Sequence, residues 1–132
     1  MIISDLHTSL RPYLEATPKG QVFVLTDANV ASCYPKIVEE FVHYILPAGD
    51  NHKSIQSVEM VWQFLLDNGA TRDALLLNIG GGMITDLGGF VAATYMRGIR
   101  CLNIPTSLLA MVDASTGGKT GINMLGLKNL IG

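Results

Sequence analysis

The chain has 132 residues, of which 48% are hydrophobic and 15% charged, with a net charge of -2 at pH 7. That balance describes one globular domain large enough to bury a core, and it excludes a disordered segment or a basic nucleic-acid binder. No apolar run approaches the ~20 residues of a membrane helix, and the first residues lack the basic and apolar regions of a signal peptide.

Ser4 to Ala16 is predicted to be helical, because Leu6, Leu10 and Leu14 recur every four residues and Ser4 can cap the start. Thr17-Pro18-Lys19-Gly20 reads as a loop. Val22 to Thr26 is a continuous apolar run, the pattern of a strand buried on both faces, and it ends in Asp27-Ala28-Asn29. Val30 to Phe41 is helical in part, with a break before Pro35. Phe41 to Leu46 reads as a second strand ending at Pro47-Ala48-Gly49-Asp50. Ser54 to Asn68 is the clearest helix, with Ile55, Val58, Trp62, Leu65 and Leu66 on one stripe, Ser54 as its cap and Gly69 as its stop. Ala74 to Ile79 is a third buried strand, Met83 to Met96 a helix, and Cys101 to Ile104 a fourth strand closed by Pro105-Thr106-Ser107.

Strands alternating with helices predict an α/β fold, a Rossmann-like parallel sheet flanked by helices. Ligands in such sheets bind beyond the carboxyl ends of the strands. Asp27, Asp50, Gly80 to Gly82 and Thr106 all fall at such ends and are expected to share one crevice.

The sequence Gly80-Gly81-Gly82-Met83-Ile84-Thr85 is not a Rossmann fingerprint, which would need glycine where Thr85 stands. A strand, three glycines and a helix start still suit a pyrophosphate, which exposed N–H groups at a helix N-terminus can hold. Asp86 is expected in the first turn of that helix, either favouring its dipole or accepting hydrogen bonds from a ligand. Gly88-Gly89, costly inside a helix by ~2 kcal/mol, point to close packing on the sheet. Gly118-Lys119-Thr120 resembles the end of a phosphate-binding P-loop, but Asp113 occupies the position of its first glycine. Lys119 remains a candidate anion ligand. Asp86, Arg97, Asp113, Lys119 and Lys128 sit among apolar residues, where charge is costly unless paired or used. His7, His43 and His52 show no metal-ligand spacing, and His43 reads as a structural histidine. Cys33 and Cys101 are expected to be free buried thiols in a reducing cytoplasm.

The segments GGGMITDLGGFVAATYMRG, IPTSLLAMVDASTGGKTGIN and GLKNLIG together resemble the N-terminal part of the 3-dehydroquinate synthase family, from about Val22 to Gly132. The resemblance implies a tightly held NAD, a divalent metal (zinc or cobalt), and conversion of 3-deoxy-D-arabino-heptulosonate 7-phosphate to 3-dehydroquinate and phosphate by transient oxidation, phosphate elimination and re-reduction. It implies cofactor contacts at Asp27, Asn29, Gly49, Asp50, Lys53, Gly81, Gly82, Met83, Asp86, Thr106 and Ser107, with Lys119 and Lys128 beside them. Arg97, Asp113, Lys119, Lys128 and Asn129 match substrate-binding and catalytic positions. Ala48, Thr85, Ser107 and Met124 to Leu127 depart from the family's usual residues. The family's metal ligands, a glutamate and two histidines, lie in a helical C-terminal domain with no counterpart in these 132 residues. Residues 1–132 are therefore expected to be an incomplete NAD-binding domain, inactive alone, from a homodimeric cytoplasmic enzyme. Other sugar-phosphate cyclases and the metal-dependent alcohol and glycerol dehydrogenases are the neighbouring readings, and a non-enzymatic nucleotide-binding or dimerisation module is a third.

Overall fold

The structure, a computed structural model, describes the backbone of residues 2–106 and the side chains of residues 8–106. Its elements are α1 (Ile2–Glu15), β1 (Val22–Asp27), α2 (Ala28–Cys33), α3 (Pro35–Glu39), β2 (Val42–Leu46), α4 (Ile55–Asp67), β3 (Leu75–Gly80), α5 (Gly82–Thr94) and β4 (Arg100–Pro105). The four strands form one parallel sheet in the order β2-β1-β3-β4. The predicted strands thus all form, with ends shifted by a residue or two.

Side-chain alternation divides the core between the two faces of this sheet. Phe23, Leu25, Leu46 and Leu76 face α4 and α5, where Val58, Val61, Leu65, Ile84, Leu87 and Val91 complete one cluster. Val24, Leu75, Leu77, Ile79, Leu102 and Ile104 face the other way and pack with Leu10, Val30 and Ile37 of α1, α2 and α3. The strand residues are apolar in runs because both faces are covered.

Two expectations change. The first helix begins at Ile2, before Ser4, and continues through Pro12. Cys33 is exposed at the end of α2, because that helix turns its buried face inward at Val30; Cys101 alone is half-buried, and burial pushes its thiol up. Of the five charges that sit among apolar residues in sequence, Asp86 and Arg97 are exposed, and Asp113, Lys119 and Lys128 lie outside the described residues.

Candidate functional site

All four strands run the same way, so their carboxyl ends lie on one edge. The chain leaves β1 toward α2 on one face and β3 toward α5 on the other. The gap between those two exits is a topological switch point, the usual ligand crevice of such sheets. Asp27 and the glycine turn flank it. The expected convergence of Asp27, Asp50, Gly82 and Thr106 on one edge follows directly from this topology.

The three glycines of the turn do different jobs. Gly80 ends β3 at φ 157°, and a Cβ there would come within 3.0 Å of Ile84, so the fold itself requires glycine. Gly81 caps α5 at φ -86°, ψ -162°, a conformation open to any residue, and a Cβ there would meet nothing within 4 Å. Gly82 likewise has open space where its side chain would be. The fold does not explain glycine at 81 or 82; a ligand approaching the backbone does. The first N–H groups of α5, on Gly82, Met83 and Ile84, have no partner within the helix and point out of its N-terminus. Met83 itself is buried, so its contribution to a ligand is its backbone N–H.

These groups open onto a cleft of about 290 Å³ lined by Gly80, Gly81, Gly82, Thr85, Asn103, Pro105 and Thr106. A second hollow, of about 430 Å³, lies between α4 and α5 and contains Lys53, Ile55, Asp86 and Phe90. There Lys53 Nζ donates to Asp86 Oδ2 at 3.3 Å, an exposed ion pair that joins two predicted cofactor contacts 33 residues apart in sequence. Asp86 sits one turn into α5, past the first turn where it was expected, because Gly82 rather than a later residue starts the helix. Asp27 is already engaged in the fold, since its Oδ1 accepts from Val30 N at 2.9 Å and caps α2. That leaves Oδ2, with Asn29 exposed beside it. Gly49, at φ 117°, and Asp50 form the exposed turn after β2.

Arg97 is not brought to the cleft. It follows α5, whose 13 residues carry the chain about 20 Å back to the amino edge of the sheet. There it takes a positive φ of 70°, with Met96 at 47°. Ser107, Asp113, Lys119, Lys128 and Asn129 lie outside the described residues. His43 is the structural histidine expected, its Nδ1 2.9 Å from Phe41 O. No three His, Cys, Asp or Glu side chains among the described residues are grouped to hold a metal, and no helix among them is long and apolar enough to cross a membrane. A larger hollow among the described residues, about 690 Å³, runs along the outer edge of β4 to Gly98 and Arg100. The smaller cleft, not this one, gathers the free helix N–H groups and the unexplained glycines.

Sequence reasoning missed Asn78 and Asn103. Leu77-Asn78-Ile79 and Leu102-Asn103-Ile104 are the same tripeptide in adjacent strands, and the register aligns them residue for residue. A polar residue repeated in two apolar strands was the available signal.

A family model for the N-terminal part of 3-dehydroquinate synthase matches residues 43–132. The chain belongs to the 3-dehydroquinate synthase family. It is 45% identical to the 3-dehydroquinate synthase of Parabacteroides distasonis over 139 aligned positions, covering all of this chain and 39% of that protein. It is 44% identical to that of Pyrococcus furiosus, covering 98% of this chain and 38% of the relative. The chain thus spans about two-fifths of the length of these curated relatives. Among solved structures, 2-deoxy-scyllo-inosose synthase complexed with carbaglucose-6-phosphate, NAD+ and Co2+ shares the fold at TM-score 0.63 and 22% identity, over 77% of this chain and 31% of that one. The 2-epi-5-epi-valiolone synthase of Streptomyces hygroscopicus, with NAD+ and Zn2+ bound, is similar at TM-score 0.59 and 28% identity, over 74% of this chain and 30% of that one.

Proposed function

We propose that residues 1–132 are the NAD-binding part of a 3-dehydroquinate synthase, which converts 3-deoxy-D-arabino-heptulosonate 7-phosphate to 3-dehydroquinate and phosphate. The observation that carries this reading is glycine at 81 and 82, where the fold asks for none and a cleft begins. Bound there, a dinucleotide would set its diphosphate against the N–H groups of Gly82, Met83 and Ile84, whose helix dipole favours negative charge. Lys53 and Asp86 would reach ribose hydroxyls as donor and acceptor, Thr106 the far side of the cleft, and Asp27, Asn29 and Asp50 the remaining nucleoside end. NAD supplies a reversible hydride acceptor. What the protein itself does in this portion is hold the acceptor in one position, so that hydride leaves and returns at the same carbon.

Asp113, Lys119, Lys128 and Asn129 are assigned to the substrate on the family's pattern. Two cations suit a substrate carrying phosphate and carboxylate, and they would hold the phosphate as it departs. On the family's pattern the divalent metal, zinc or cobalt, is assigned to a helical domain beyond this portion; among the described residues no three candidate ligands are grouped to hold it. Free thiols at Cys33 and Cys101 fit a cytoplasmic enzyme, and a homodimer is the expected assembly. The fold shared with 2-deoxy-scyllo-inosose synthase makes another NAD-dependent sugar-phosphate cyclase the second reading.

The test is turnover by the intact protein with the heptulosonate phosphate, NAD and zinc. One phosphate released per dehydroquinate, with no net NADH, is expected. Accumulation of NADH in proportion to a simple alcohol would make it a dehydrogenase instead. Cyclisation of a different sugar phosphate alone would make it another cyclase, and neither NAD binding nor turnover would leave a non-enzymatic module.

A further inference from the structure

Asn78 is wholly buried in the middle of β3, on the face that packs against α5. Its Nδ2 donates to Asn103 Oδ1 on β4 at 3.0 Å, while its own Oδ1 has no conventional partner. A Cβ on Gly88 of α5 would land inside the Asn78 carboxamide. Glycine at 88 is therefore the space that Asn78 occupies.

The same contact fixes which way the amide faces. The Gly88 hydrogen that stands in place of a Cβ points into the Asn78 carboxamide. An oxygen facing that C–H makes a weak attractive contact, whereas an NH2 group would set hydrogen against hydrogen. Oδ1 thus turns to Gly88 and Nδ2 to Asn103. Asn103 must then accept with its oxygen, which turns its own NH2 away from Asn78. Asn103 is half-buried and stands where two hollows meet, lining both the cleft with Gly81, Gly82, Thr85 and Thr106 and the larger hollow along β4. Its two N–H donors have no partner among the described residues.

We propose that Asn103 is a ligand-binding residue of this cleft, its side-chain NH2 donating to an acceptor oxygen of the bound dinucleotide, and that buried Asn78 is the positioning residue that fixes its orientation. This rests on the reading of the cleft as a dinucleotide site and adds a donor opposite the N-terminus of α5. The acceptor is a diphosphate oxygen or the nicotinamide carbonyl, which share the same chemistry.

Calorimetric binding of NAD and of ADP-ribose to the intact protein tests the proposal. Asn103→Ala is expected to weaken binding about ten-fold. Asn103→Asp keeps the shape and the acceptor for Asn78 but replaces the donor with a charge, so it is expected to weaken binding further. Should the alanine variant fail to fold, the aspartate variant carries the test. Loss with both ligands places the contact on the diphosphate, and loss with NAD alone places it on the nicotinamide. The double variant Asn78→Ala/Gly88→Ala refills the space beside Gly88, so it is expected to keep the thermal midpoint yet lose about five-fold in affinity. A merely structural Asn78 would move the midpoint and leave affinity alone, which would overturn the positioning role. Parent affinity in both Asn103 variants would overturn the proposal while leaving the dinucleotide reading intact. If the unmodified protein binds neither ligand, that reading fails and this one falls with it.

Discussion

The two ends of the sheet are built on different principles. At the amino edge, side chains tie the elements to one another. Gln21 donates to Gly69 O at 3.0 Å and accepts from Thr71 N at 2.8 Å, Arg100 donates to Thr17 Oγ1 at 2.7 Å and to Asp73 O at 3.2 Å, and the buried Tyr95 hydroxyl donates to Ala70 O at 2.9 Å. At the carboxyl edge, Thr26 still donates to Ile79 O and Asp27 caps α2, but the other polar groups face outward: free N–H groups at the start of α5, exposed Asn29 and Asp50, the exposed Lys53–Asp86 pair, and Gly81 and Gly82 with empty space where side chains would be. Polar groups that satisfy each other stabilise the fold, and polar groups left open are available to a ligand. A change at one end should therefore move stability and a change at the other affinity.

The strongest test of that division is Gly81→Val. Its backbone conformation accepts valine and nothing stands in the way, so unfolding free energy is expected to stay within ~0.5 kcal/mol. Two methyl groups in the cleft are expected to weaken NAD binding at least about 100-fold, or ~2.7 kcal/mol. A large fall in the denaturation midpoint would show that the glycine belongs to the fold after all. Next in size is Tyr95→Phe at the other end, expected to cost about 1 kcal/mol in urea denaturation with unchanged NAD affinity. Burial raises the Tyr95 pKa above 10.0. Its contribution is thus complete below pH 10, where both states keep the proton, and is lost as pH rises through the higher folded value, because only the unfolded chain then ionises freely. Parent protein should lose stability along this alkaline limb, and the phenylalanine variant should lose less. The smallest effect is expected for Lys53→Met. The pair with Asp86 is exposed on both sides, so stability should change by less than ~0.5 kcal/mol. A measurable loss of NAD affinity with so little change in stability would place Lys53 with the ligand-facing groups, and the reverse pattern would place it with the structural ones.

Much of this arrangement is readable from the residues. The largely apolar runs at 22–26 and 74–79 announce buried parallel strands, because only a sheet covered on both faces needs them. The glycine turn announces a close backbone approach. What cannot be read is which glycine serves which purpose, since Gly80 and Gly81 differ only in φ and in what surrounds them. Charges give a weaker signal. Asp86 and Arg97 stand beside apolar residues in sequence, yet helical and turn geometry carries them to the surface, because neighbours along a helix point about 100° apart. Close packing at Gly88-Gly89 holds for the first glycine and not for the second, where a Cβ would meet nothing. The partner at Gly88, Asn78, lies ten residues back along the chain, and only the sheet register reveals that it meets Asn103.

The empty surroundings of Gly81 carry a practical consequence. Function and folding stability commonly trade against each other at active sites. Position 81 is expected to accept substitution with little loss of folding stability, since its backbone conformation is open to any residue and a Cβ there would meet nothing within 4 Å. A library that randomises this one position is expected to vary NAD affinity with little change in folding stability.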